Sequence, residues 1–271
     1  MLSKLKNNFI KNNYSWLEKI QPTIGVGNHI LRGLKHQRIQ PNMGVGDWSI
    51  RGSKKISNEF TNVDSLIESH FQKNSSPNHI CRPTLNKALE MLGTKPSVIV
   101  ETGSSAWGSN SSLLFDSYVQ NFGGKFESVD IRIEPSITLS EKVSNRTILH
   151  CDDSVNFLSK WKGRNGVDKI DLLYLDSWDV NWSDPNPSGL HGLAEFLAAS
   201  SSLQSGSILL VDDTPLDEVN FVSAQSDLFS FTEFKKKNGF FPGKGSLIKE
   251  VLKSLGRGRE VMHKYQLLWL F

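Results

Sequence analysis

From about residue 80 onward, short apolar runs alternate with stretches of helical periodicity, and this alternation leaves few folds open to the chain. Ile170 to Asp176 and Ser207 to Asp212 are almost wholly apolar. Strands without a polar face must be covered on both sides, as in a parallel sheet between helices. The same reading gives strands at Ser97 to Thr102, Lys125 to Asp130 and Thr147 to Cys151. Phe115, Tyr118, Val119 and Phe122 recur at i, i+3, i+4 and i+7, and Gly123-Gly124 closes that helix. Further helices fall near 83 to 92, over Val155 to Trp161, around Leu190, Leu193, Ala194 and Leu197, and over Ser246 to Leu255, with a closing strand at His263 to Phe271. The expected fold class is α/β: a Rossmann-like, mostly parallel sheet with helices on both faces, spanning residues 76–271.

The preceding residues 1–75 read as a polar, basic N-terminal extension. Residues 1–55 carry ten Lys/Arg against Glu18 and Asp47, so the formal net charge of +3 hides a remainder that is acidic. The extension holds a two-copy, Gly-rich repeat, Gln21 to Gly33 and Gln40 to Gly52, with Arg32 and Arg51 in register. Two copies are too few for a solenoid. They suit structural turns, an arm for homo-oligomer assembly, or a pair of anion-binding arginines. Cys81 and Cys151 lack metal-finger and CxxC spacing. With neither a secretory h-region nor an apolar membrane-length stretch, the expected location is cytoplasmic, and neither a membrane nor a specific nucleic acid is an expected partner.

The first strand of the sheet ends in Glu101, Gly103 and Ser104, and the loop continues to Gly108 and a helix. Strand, loop and helix in that order offer free N–H groups at the carboxyl edge of the sheet, where α/β proteins bind nucleotides. Asp130, 22 residues beyond Gly108, ends the second strand, where an acid can accept both hydroxyls of an adenosine ribose. The loop lacks the intermediate glycine on which a pyrophosphate rests. Ser104 and Ser105 in its place disfavour NAD and favour a ligand with an amino-acid tail. A tight turn without a ligand is the alternative.

Strands four and five end in Asp176 and in Asp212-Asp213. If these strands are neighbours, three carboxylates surround one point, and they repel unless a cation joins them. Oxygen ligands without His or Cys suit Mg²⁺. Asp179 can reach the same region as a base, and His191, opening the next helix, is a second base candidate. Alternatively Asp213 caps the Asp-Thr-Pro turn and Asp176 alone faces the site. Trp178 and Trp182 would wall an acceptor pocket or simply pack. Gly243-Lys-Gly-Ser246 lacks the phosphate-loop spacing and reads as a helix entry in which Lys244 contacts acceptor.

These motifs resemble the class I S-adenosylmethionine-dependent methyltransferases over residues 80–271. The resemblance implies that Glu101, Gly103 and Ser104 lie against the methionine part of the cofactor, with Gly108 in the same loop, Asp130 on the ribose, and Asp153-Ser154 beside the adenine. The acids after strands four and five narrow the likeness to the metal-dependent sugar O-methyltransferases of the macrocin and novobiocin type. That implies Mg²⁺ on Asp176, Asp212 and Asp213, with Asp176 also close to the cofactor, Asp179 as general base, and a hydroxylated small molecule such as a sugar as acceptor. Metal-independent methyl transfer with Asp179 or His191 as base, and a methyltransferase-like assembly domain without catalysis, stay open. No Gly-x-Ser-x-Gly elbow supports a hydrolase.

Overall fold

A computed structural model describes residues 40–41, 48–55, 59–104, 108–161 and 168–271. The account below is of the compact unit that begins at Pro41. Most of the two-copy repeat, Arg32 included, lies outside the described residues. At the end of its second copy, Arg51 donates to the Asn145 carbonyl at 2.9 Å.

The elements begin with β1 (Gln40–Pro41), β2 (Trp48–Arg51), α1 (Val63–Lys73), α2 (Arg82–Leu92), β3 (Ser97–Thr102), α3 (Ser111–Phe122), β4 (Gly124–Asp130) and α4 (Ile133–Ser140). They continue with β5 (Thr147–Cys151), α5 (Ser154–Ser159), β6 (Leu172–Leu175), α6 (Asn186–Ala199), β7 (Ile208–Val211), α7 (Gln225–Asn238), α8 (Ser246–Leu255), β8 (Arg259–His263) and β9 (Leu267–Leu270). One sheet orders the strands β1-β2-β5-β4-β3-β6-β7-β9-β8. The five strands from β5 to β7 are parallel; β2 and β9 run against their parallel neighbours. The expected α/β class, a mostly parallel sheet covered by helices, is what the chain adopts.

Side-chain alternation sorts the apolar runs onto two faces. Ile99, Phe126, Leu172, Tyr174, Ile208 and Leu210 join Leu66, Phe71, Leu85, Leu89, Phe115 and Tyr118 of α1, α2 and α3 in one core. The intervening Val100, Leu173, Leu175, Leu209 and Val211 are buried too, so both faces are covered. On the chain's other helical layer α6 packs against both α5 and α8.

Two expectations are corrected. The closing strand is a hairpin: β8 and β9 pair antiparallel, with Lys264, Tyr265 and Gln266 between them. The sheet domain also begins well before residue 76. β2 pairs with β5, and α1 buries Val63, Leu66, Ile67 and Phe71 in the main core. The polar composition of the segment hides α1, whose apolar residues occupy one face only. Among the described residues no helix is long and apolar enough to cross a membrane.

Candidate functional site

Strand order reverses between β3 and β6: β4 and β5 extend one way from β3, β7 the other way from β6. At such a switch point the loops leaving adjacent strands part and open a crevice at their carboxyl ends. Register fixes what faces it. Thr102 pairs with both Val129 and Leu175, and Leu175 with Val211, so Gly103, Asp130, Asp176 and Asp212 each follow by one residue along a single edge. A cavity of about 910 Å³ lies there, lined among others by Gly103, Ser104, Asp130, Asp176, Asp179, Asp212 and Asp213. Its size suits a cofactor-sized ligand.

Gly103 has φ of +81°, and a Cβ there would overlap the Asp176 carbonyl oxygen. Only glycine lets the β3 and β6 loops approach this closely. Asp130 closes the far side: its Oδ2 accepts from the Ser104 amide at 3.1 Å and its Oδ1 from the Arg132 amide at 2.8 Å. The Arg132 guanidinium also reaches both oxygens, at 3.1 and 3.2 Å. Arg132 is 68% exposed, so a ligand hydroxyl can displace it at small cost.

Carboxylate oxygens of Asp176, Asp212 and Asp213 all lie within 4.8 Å of one another. Lys244, 3% exposed, places its Nζ 2.6 Å from Asp176 Oδ1 and 2.9 Å from Asp213 Oδ2. The hairpin supplies the rest: Tyr265 donates to Asp213 Oδ1 at 2.5 Å, and Gln266 to Asp212 Oδ1 at 2.7 Å. Tyr174, whose hydroxyl accepts from Gln266, donates to Asp176 Oδ2 at 3.3 Å. Burial and the adjacent Asp212 push the Asp176 carboxyl up, against the pull of Lys244. Burial works against the ammonium too, but Asp176, Asp213 and Asp212 outweigh it and hold Lys244 charged. Asp213 sits at φ 42°, a left-handed conformation that Asp tolerates better than most residues.

Several expected site residues are not brought to the cavity. Glu101 is fully buried and accepts from Ser111, Ser112 and Ser128 at 2.5, 2.5 and 2.7 Å. Burial raises its carboxyl to about 7 despite those bonds. It braces the start of α3 and, through Ser128, the Ser104 hydroxyl at 2.8 Å. Gly108 accepts from Ser75 at 2.5 Å. Asp153 caps α5 through the Asn156 amide at 2.8 Å. Ser154 bonds His191 Nε2 at 3.1 Å; that ring, buried, also meets Ser177 at 3.0 Å and Glu195 at 3.5 Å. These contacts, all to Nε2, tie α5 and the loop after β6 to α6. Trp178 lines the cavity, whereas Trp182 packs on Phe221 and Phe231.

Other lining residues carry no mark in the sequence. His79, Ile80 and Cys81 precede α2, and Tyr265 sits in the hairpin turn. None stands at the tip of a parallel strand, the one position that apolar runs reveal. Lys244, expected from the sequence to contact acceptor at a helix entry, instead bridges Asp176 and Asp213.

No protein-family model matches the chain, and no curated protein matches it. Among solved structures it is similar to the MycE methyltransferase from the mycinamycin biosynthetic pathway in complex with Mg and SAH. That match has 13% identity and a TM-score of 0.53, over 81% of this chain and 55% of that one. The same enzyme with Mg, SAH and mycinamycin VI matches at 14% identity and a TM-score of 0.51, over 79% and 54%. The chain thus spans about half the length of MycE. The likeness shows that the two share a fold, the Rossmann-like fold of a methyltransferase.

Proposed function

We propose that the chain is an S-adenosylmethionine-dependent O-methyltransferase acting on a hydroxyl of a small molecule. The observation that carries this reading is the convergence, in one cavity at the switch point, of the Gly103-Ser104 loop, Asp130 and the acids after β6 and β7. The Gly103-Ser104 backbone would hold the methionine part and Asp130 the ribose hydroxyls, with Ile131, exposed beside it, against the adenine. Trp178 and Val222, both exposed and both lining the cavity, offer apolar contact to the body of an acceptor, for which a sugar is our working choice.

In the reaction the acceptor oxygen attacks the sulfonium methyl in line. The O–CH₃ bond forms as the S–CH₃ bond breaks, the sulfonium becomes a neutral thioether, and the hydroxyl proton passes to a base. Asp179 is that base in this reading: it is exposed on the cavity wall, three residues beyond Asp176. The three-carboxylate donor set, oxygen only and compact, fits a hard divalent cation. Asp176, Asp212 and Asp213 would hold Mg²⁺, which when bound supplies Lewis acidity toward the acceptor hydroxyl.

Titration calorimetry with S-adenosylhomocysteine tests the cofactor assignment. One equivalent should bind, and Asp130→Ala should weaken it about tenfold or more, since hydrogen bonds to a charged group are lost. Asp213→Ala should retain cofactor binding and lose transfer of labelled methyl to a panel of hydroxylated acceptors. A wild-type protein that binds no S-adenosylhomocysteine sinks the reading.

A further inference from the structure

Lys244 is the one described cation buried among the three acids, and the fold goes to some length to put it there. Gly243 has φ of +151°, and a Cβ on it would lie 2.5 Å from the Asp213 carbonyl oxygen. The Lys244 amide donates to that same carbonyl at 3.1 Å, and the Gly245 amide donates to Thr214 Oγ1 at 2.8 Å. On the other side a Cβ on Gly192 would overlap the Lys244 carbonyl oxygen, so α6 presses on the same peptide. The backbone of Lys244 is therefore clamped between the tip of β7 and α6. Its side chain has one short route, into the carboxylates.

The ammonium bridges Asp176 and Asp213, the acids from two neighbouring strand tips. An ion bound to both of these oxygens would need to sit in the same gap, within about 2.1 Å of each. A dication and an ammonium that close repel, and the low dielectric of a buried site strengthens that repulsion. We infer that Lys244 is a resident counter-cation which occupies the place of the divalent ion in the metal-free protein, so that ammonium and ion exclude one another there. The inference rests on the proposed use of these acids as metal ligands. It adds that the chain carries its own substitute, which keeps the acids assembled without metal and weakens metal binding by competition.

Mn²⁺ binding, read by electron paramagnetic resonance of the free ion, tests this apart from activity. Lys244→Gln should bind Mn²⁺ at least about tenfold more tightly than wild type, because the competing charge is gone. Adding Asp213→Asn should abolish the gain. Equal or weaker Mn²⁺ binding by Lys244→Gln that still binds S-adenosylhomocysteine overturns the inference while leaving the methyltransferase reading intact. Wild-type crystals soaked in Mn²⁺ give a second test that needs no variant. Anomalous density at the acids with Lys244 turned away supports exclusion, as does an undisplaced Lys244 without manganese. Manganese on Asp176 and Asp213 with the ammonium still hydrogen-bonded to both refutes it. Loss of S-adenosylhomocysteine binding by wild type would instead strike the proposed function.

Discussion

Glu101, the penultimate residue of β3, lies behind the cavity rather than in it, and its titration is the clearest consequence of that placement. Its carboxyl moves from an ordinary value near 4.5 to about 7, chiefly through burial. Folding therefore favours the protonated form. That contribution is complete below about pH 4.5 and is lost as pH rises through about 7, by on the order of 3 kcal/mol for a shift of this size. Glu101→Gln keeps the shape and stays neutral throughout. Melting temperatures measured from pH 4.5 to 7.5 should fall less for the variant than for wild type, by several degrees; parallel curves would show that the carboxyl is not strained. At this scale the sequence is readable where a side chain's position follows from the end of an apolar run, as for Asp130, Asp176, Asp212 and Asp213. It is silent on which way a side chain turns just before that end, so Glu101 and Asp176 look alike although one is sealed behind serines and the other faces the cavity.

Among the elements, α6 shows how packing reverses an intrinsic preference. Alanine in place of a helical glycine ordinarily stabilises by about 1 kcal/mol. At Gly192 the new Cβ would overlap the Lys244 carbonyl oxygen, whereas at Gly189 its nearest neighbour is the Gly243 carbonyl oxygen at 3.4 Å, an ordinary contact. Gly192→Ala should lower the melting temperature, with a cost of about 1–3 kcal/mol for an overpacked site, and Gly189→Ala should be neutral or slightly stabilising. A thermal scan of the pair decides it, and a stabilised Gly192→Ala would mean that α6 stands off from the α8 entry. The parallel strands were legible as elements because burial on both faces makes them apolar throughout. The hairpin of β8 and β9 was not separable from one strand, since Tyr265 and Gln266 in its turn serve the acid cluster and carry no glycine or asparagine turn signal. α7, with Phe231 as its only buried residue, has too narrow an apolar stripe to announce itself.

For the molecule as a whole, the boundary between extension and sheet domain was the least legible feature, because composition changes near residue 76 while the packing does not. Before residue 76 lie β2, which pairs with β5, and α1, whose Val63, Leu66, Ile67 and Phe71 enter the main core. Each such side chain contributes roughly 1.5–3 kcal/mol by burial, so four together rival the 5–15 kcal/mol that typically holds a domain folded, a range that is itself only about the size of these terms. The compact unit begins at Pro41, which makes two truncations informative. A chain starting at Pro41 should unfold in a single cooperative transition and keep its affinity for S-adenosylhomocysteine. A chain starting at Ser76 should lose cooperative unfolding, because α2 and α3 are left with the apolar face that α1 covers. Differential scanning calorimetry of the two proteins reads the outcome directly. A cooperative transition in the shorter chain would mean that α1 only decorates a core which is complete without it.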